Sequence, residues 1–394
     1  MKAFIRLASA ILVLSTLLNQ STFAQTGEAT DSQMSFLERL DSLNTFKISR
    51  GKSVLTPFIA PSYTPELEFM VSAGGLFTFA LDSTRLMSRS SVPFSIGYSS
   101  NGSLQISVRA NIYGKQDKYR ITGEFWKKNM PDNYYGVGFK KADKLEKGSE
   151  TTAYDKNWYQ FKFTMVFKLV KNLYLGANYD FNETIATNIN PIMAQDENYL
   201  LNPESVINQG WGLVFQYDSR DVPTNAYSGS YIEVKGTNYN TLIKGETSFY
   251  VSTIDIRKYL PLKPRKTIAI QLKNQNTFND VPWTDYAQLG TPFDLRGYPW
   301  GKYRDRYMTF LLTEYRHMFQ RKQPNKKGSL DSAHGMVAWA GAGTIANDLE
   351  SIDKVIPNLG VGYRLELQPR MNLRLDYGWG RNVSAFYFSF NEAF

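Results

Sequence analysis

From Trp158 to Leu169 the chain alternates, with Tyr159, Phe161, Phe163, Met165, Phe167 and Leu169 on one side. Gln160, Lys162, Thr164 and Lys168 fall on the other, and only Val166 breaks the pattern. A period of two predicts a strand, because a helix of about 3.6 residues per turn would spread those aromatics around its axis. After a turn at Lys171-Asn172, residues Leu173, Leu175, Ala177, Tyr179 and Phe181 alternate with Tyr174, Gly176, Asn178 and Asp180. The unit is a hairpin with one greasy face and one wet face. Aromatic residues make up 14% of the chain, yet its mean hydropathy is −0.37. That combination suits a sheet standing between lipid and water.

Continuing the same reading predicts about sixteen strands, an even number as bacterial barrels require. The spans are 68–80, 92–99, 103–113, 118–127, 134–142, 157–169, 173–183, 209–217, 230–239, 247–260, 267–278, 306–319, 335–345, 359–367, 371–380 and 384–394. With the first strand rising from the periplasm, the short turns Ser100-Asn101-Gly102, Lys171-Asn172 and Gln368-Pro369-Arg370 become periplasmic. The long connections 143–156, 184–208 and 279–305 become extracellular, the usual asymmetry of such barrels. In hydrocarbon each backbone donor and acceptor needs an internal partner, so a spanning sheet must close on itself. The expected fold is therefore all-β, a transmembrane antiparallel barrel preceded by a short helix.

The N-terminus carries a secretory leader over 1–24: Lys2 and Arg6, an apolar run from Leu7 to Leu18, and Thr22-Phe23-Ala24 for cleavage. Residues 25–67 form a short periplasmic segment, with Phe36, Leu37, Leu40 and Leu43 at helical spacing and Pro57, Pro61 and Pro65 in extended chain. The barrel is placed at 68–394. The chain has no cysteine, which suits passage through an oxidising periplasm. Its formal charge of +9 comes from Lys and Arg alternating with apolar residues along strands. A wet lumen and anionic outer-membrane lipids account for that charge, and no nucleic-acid partner is expected. Neither His317 nor His334 sits at the extracellular rim, and no metal-ligand spacing or cofactor motif is present. No enzymatic activity is expected.

Between the eleventh and twelfth predicted strands lies Gly290-Thr-Pro-Phe-Asp294-Leu295-Arg296-Gly297-Tyr298-Pro-Trp300, with five strands to follow. Earlier, Gly210-Trp-Gly-Leu-Val-Phe-Gln-Tyr-Asp218-Ser-Arg220-Asp221 precedes Pro223 and Gly229. Both segments resemble motifs of the BamA/TamA (bacterial surface antigen) superfamily of Gram-negative outer membranes. The first resembles its inward-folded sixth extracellular loop; the second resembles its eighth strand and following turn, where Asp218, Arg220 and Asp221 are expected to be structural.

The resemblance implies that Arg296 enters the lumen and pairs with carboxylates on late strands. Alternation turns Arg374 and Asp376 inward beside Leu373, Leu375 and Tyr377, and turns Arg364 and Glu366 inward beside Val361, Tyr363 and Leu365. Asp376 is the expected partner of Arg296 and Glu366 the second. The thirteenth strand carries Gly341 where family members often hold an acid. Phe386, Phe388, Phe390 and Phe394 are expected on one face of a last strand that serves as the insertion signal. Segment 25–67 is too short for the POTRA domains of the family's insertases, so a barrel-only member is expected. Its implied function is insertion or translocation of outer-membrane or surface proteins through a lateral seam, with unfolded barrel precursors or accessory proteins as partners. A passive channel or a structural subunit of an outer-membrane complex is the alternative.

Overall fold

Alternation is what builds the wall. The computed structural model describes residues 52–64, 68–82, 89–241, 248–321, 323, 330–352 and 354–394. The leader and the helix expected around Phe36–Leu43 lie outside these residues. The strands are β1 (Val54–Thr64), β2 (Glu68–Phe79), β3 (Ser90–Ser99), β4 (Leu104–Tyr113), β5 (Tyr119–Asn133) and β6 (Ala153–Val170). They continue as β7 (Leu173–Thr187), β8 (Ser205–Asp218), β9 (Gly229–Thr241), β10 (Ser248–Lys263), β11 (Lys266–Asn279), β12 (Ala287–Leu289) and β13 (Tyr303–Asp305). The last five are β14 (Tyr307–Gln320), β15 (Asp331–Ala346), β16 (Ile356–Gln368), β17 (Met371–Gly380) and β18 (Val383–Phe390). Sixteen of them form one antiparallel sheet in chain order, and β12 pairs with β13 inside the loop joining β11 to β14. The fold is an up-and-down transmembrane barrel of sixteen strands.

Its two faces are those of a water-soluble protein reversed. Phe161, Phe167, Trp211, Leu213, Leu311 and Phe386 are exposed on the outside, while Asn178, Asp180, Asp255, Gln271, Glu314 and Arg364 are buried inside. Val166, the one residue off pattern, packs inward with Tyr174 and Val214.

The count of sixteen hides two errors that cancel. Residues 134–142 are not a strand: Tyr134 and Tyr135 are both buried, Gly136 and Gly138 take positive φ of 76° and 94°, and a short helix begins at Phe139. Alternation cannot survive two left-handed residues. Residues 54–64, by contrast, are the first strand, paired with β2 from Val54↔Thr78 to Thr64↔Glu68. The barrel thus starts at Val54, not at 68. One consequence is that the Ser100-Asn101-Gly102 turn, joining β3 to β4, lies at the long-loop end rather than with the short turns. His334 also sits within β15 rather than in a connection.

At the long-loop end Trp283 is ringed by Tyr134 and Tyr199 from two other loops and by Tyr154 at the start of β6. An ion pair of 2.7 Å between Lys141 and Asp196 ties those loops together. At the other end the turn 219–228 reaches the β16–β17 turn, where Arg370 bonds Asp221 at 2.8 Å and the Asn225 carbonyl oxygen. Between them lies a cavity of about 620 Å³, touched by Trp300 above and by Pro223 and Thr224 below.

The sheet has two edges, β1 and β18, and no ladder joins them among the described residues. Side chains meet there instead. Phe58 packs on Phe388 and Phe390 with ring centroids 5.5 and 4.8 Å away. Nearer the short-turn end, Gln368 of β16 reaches past β18 and β17, donating to Thr56 of β1 at 3.0 Å and accepting from Thr78 of β2 at 2.6 Å.

Candidate functional site: a loop folded into the barrel

The loop from β11 to β14 is shaped first by Asp294. Its Oδ1 accepts from the backbone N–H groups of Gly290 (3.0 Å), Thr291 (2.8 Å) and Leu295, and its Oδ2 accepts from the Thr291 hydroxyl at 2.6 Å. Burial raises the Asp294 carboxyl above its usual range, against the pull of those donors. This knot aims Leu295 and Arg296 at the wall, where both are fully buried.

Arg296 crosses to the late strands as expected. Its Nη1 donates to Asp376 on β17 at 2.5 Å, and Asp376 also takes Arg364 at 2.6 Å. Glu366 is not the second partner. It lies near the short-turn end, paired with Arg265 at 2.8 Å and capping the Arg370 N–H. The second carboxylate is Glu314 on β14, which bonds Nη2 of Arg296 and receives Arg316 at 2.8 Å. The guanidinium also lies 3.6 Å from the ring centroid of Trp339 on β15. At Gly341 the space an acid would need is filled by Leu312, whose Cδ1 stands 2.6 Å from where a Cβ would be. The second acid stands on β14, one strand before the expected place, and Trp339 covers the cation from β15. Alternation along β14 points to Glu314, since Met308, Phe310, Leu312, Arg316 and Met318 share its buried face.

An ion without water costs several kcal/mol unless its hydrogen bonds are replaced. Here the replacement is a network of Arg296, Arg316, Arg364 and Arg374 with Glu314, Asp376 and Glu392. Glu392 belongs to a tail that leaves the wall. Asn391 takes φ of 62°, and Phe394 turns into the lumen, where its oxygen accepts from Arg316 at 3.1 Å. Phe386 and Phe388 face outward, but Phe394 is buried and does not share their face. Alternation cannot continue past a left-handed residue.

The glycines decide how closely the loop docks. Gly297 has φ of 116°, and a Cβ there would stand 2.7 Å from the Gly378 carbonyl carbon. A Cβ on Gly378 would stand 2.3 Å from the Arg296 oxygen. Backbone therefore lies on backbone. Asn358 donates to that same oxygen and accepts from the Trp339 indole at 2.8 Å. Tyr298 donates to the Pro357 oxygen at 2.7 Å and accepts from the Arg381 N–H at 2.8 Å. The edge strand itself is held: the Tyr387 hydroxyl on β18 accepts from Gly297 N–H at 2.9 Å and donates to the Tyr298 oxygen at 3.2 Å.

On the far wall Lys128 of β5 lies 3.9 Å from the Trp300 ring, and Arg109 of β4 lies 4.3 Å from the Phe293 ring. The loop is a strut from β4–β5 across the lumen to β14–β18. Asp218 on β8 joins Arg120 (2.5 Å) and Arg220 (2.9 Å), while Asp221 instead holds the floor through Arg370. His317 packs on Phe319 and His334 bonds the Tyr363 hydroxyl, and neither is part of the Arg296 network.

The sequence profile of the Omp85 superfamily domain matches residues 91–394. Among solved structures, BamA from Haemophilus ducreyi lacking POTRA domains 1–3 is similar at 14% identity, with a TM-score of 0.51 over 98% of this chain and 78% of that one. CdiB from Escherichia coli is similar at 8% identity and a TM-score of 0.51, over 86% of this chain and 62% of that one, less than two thirds of its length. No curated protein matches. The late-strand pocket for Arg296 and the profile covering most of the barrel lead to one conclusion: this chain belongs to the Omp85 superfamily.

Proposed function

We propose that this barrel resides in the outer membrane of a Gram-negative cell and helps polypeptides insert into or cross that membrane through the gap between β1 and β18. The gap itself carries this reading: two edge strands of a lipid-facing sheet share no ladder among the described residues. In hydrocarbon an open edge costs several kcal/mol per unpaired group, so it is retained only for use. The Arg296 loop supports the same reading, because it bonds Tyr387 on β18 and so sets where one lip of the gap stands. The long loops then face outward and the short turns face the periplasm. Lipids are its solvent and unfolded barrel precursors its clients. It works by pairing and positioning, without bond chemistry.

The test is to close the gap. Cysteines replacing Phe58 and Phe388 would be joined by a short thiol cross-linker in an otherwise cysteine-free chain. The joined form should lose its effect on precursor assembly and cease to copurify with precursors. Full activity with the gap joined would refute the reading. Steady ion conductance with no bound precursor would favour the passive channel.

A further inference from the structure

The two lips of the gap are chemically unequal. Phe69 on β2 accepts through its oxygen from the Ser100 N–H, on the side of β3. Odd residues of β2 therefore direct their main-chain groups at β3. Their partners on β1, among them Ile59↔Ala73, Pro57↔Gly75 and Pro61↔Val71, point theirs away, into the gap. The gap-facing positions of β1 are Leu55, Pro57, Ile59, Pro61 and Tyr63, and the two prolines have no N–H. On β18 the hairpin pair Gly380↔Val383 closes a two-residue loop, so Ser384, Phe386, Phe388 and Phe390 face the gap. Each of these four keeps its N–H.

Resting on the seam reading above, we infer that a partner polypeptide in extended form adds to β18, and that β1 is a wall that does not template strands. The prolines delete two of five donors along β1, at every second gap-facing position. A strand laid there leaves two of its own carbonyls facing proline rings. The same deletion removes two orphan N–H groups from lipid, which makes an unpaired β1 tolerable. The β18 lip offers a continuous row of donors and acceptors and is aligned by Tyr387 on the docked loop. Its occupant is therefore a strand that pairs by main chain and presents alternate apolar side chains to lipid.

The test uses single cysteines at two lipid-facing gap positions, Ile59→Cys and Phe386→Cys, in full-length protein in lipid vesicles. The probe is a peptide reproducing residues 384–394 of this chain with cysteine in place of Phe388. Disulfide formation at 386 should exceed that at 59 by about tenfold or more, the effect of one to two lost hydrogen bonds. Adding Phe388→Pro to Phe386→Cys should abolish capture without unfolding the barrel, since that N–H lies outside the β17–β18 ladder. Equal capture at 59 and 386, or capture indifferent to Phe388→Pro, overturns the inference and leaves the seam reading standing. Capture at neither position removes both.

Discussion

Replacing Arg296 and replacing Asp376 should have unequal consequences for the barrel, although the two share a hydrogen bond of 2.5 Å. In Arg296→Leu the wall keeps Arg316–Glu314 at 2.8 Å, Arg364–Asp376 at 2.6 Å and Arg364–Glu392 at 2.9 Å. Three guanidiniums then face three carboxylates, and only the loop has lost its anchor. In Asp376→Leu four guanidiniums face two carboxylates. Arg374 is left with the Pro292 oxygen at 3.0 Å, and Arg364 with Glu392. Removing one partner of a buried pair costs about 3–5 kcal/mol. For Arg296→Leu that cost falls on loop docking, so opening of the loop should rise about a hundredfold or more. For Asp376→Leu it falls on β14–β17. Tryptic cutting at Lys302 reads the loop, because cleavage follows the open population when reclosing is fast. The denaturant midpoint of the heat-modifiable gel band reads the barrel. Arg296→Leu should speed cutting and leave the midpoint nearly unchanged, whereas Asp376→Leu should lower it. Equal midpoints for the two variants, or unchanged cutting in Arg296→Leu, would refute the charge count.

Other substitutions test separate contacts. Gly378→Ala places a methyl 2.3 Å from the Arg296 oxygen and should free the loop as fully as Arg296→Leu, with a matching tryptic pattern at Lys302. Trp300→Ala removes the ring over Lys128 and should make Lys128 reactive to an amine label by several-fold, leaving the late-strand anchor in place. Arg370→Ala loses its bonds to Asp221 and Asn225 across the floor and should expose the turn 219–228 to protease added on the short-turn side.

Much of the wall could be read from the chain because each buried group occupies one phase of a two-residue period. Asp376 is legible that way, and Glu314 stands on the same kind of strand with an equally regular face. What hides it is that the resemblance places the second acid on β15, where this chain has Gly341, while Glu366 has the inward phase but lies at the short-turn end beside Arg265. Prolines hid β1, since a strand reading that penalises proline has no means of knowing which residues face an unpaired edge. The false strand at 134–142 and the inward turn of Phe394 share a cause. Both contain left-handed residues, Gly136 and Gly138 in one case and Asn391 in the other, and these end a period of two without altering composition.

The most direct test of the docked loop is the reactivity of a single cysteine at Leu295, a buried position outside the ion network. In intact cells a membrane-impermeant maleimide should leave Leu295→Cys unlabelled while labelling a control cysteine at exposed Glu150. Adding Arg296→Leu should make position 295 reactive. Rapid labelling of Leu295→Cys with Arg296 intact would place the loop outside the lumen and contradict the account.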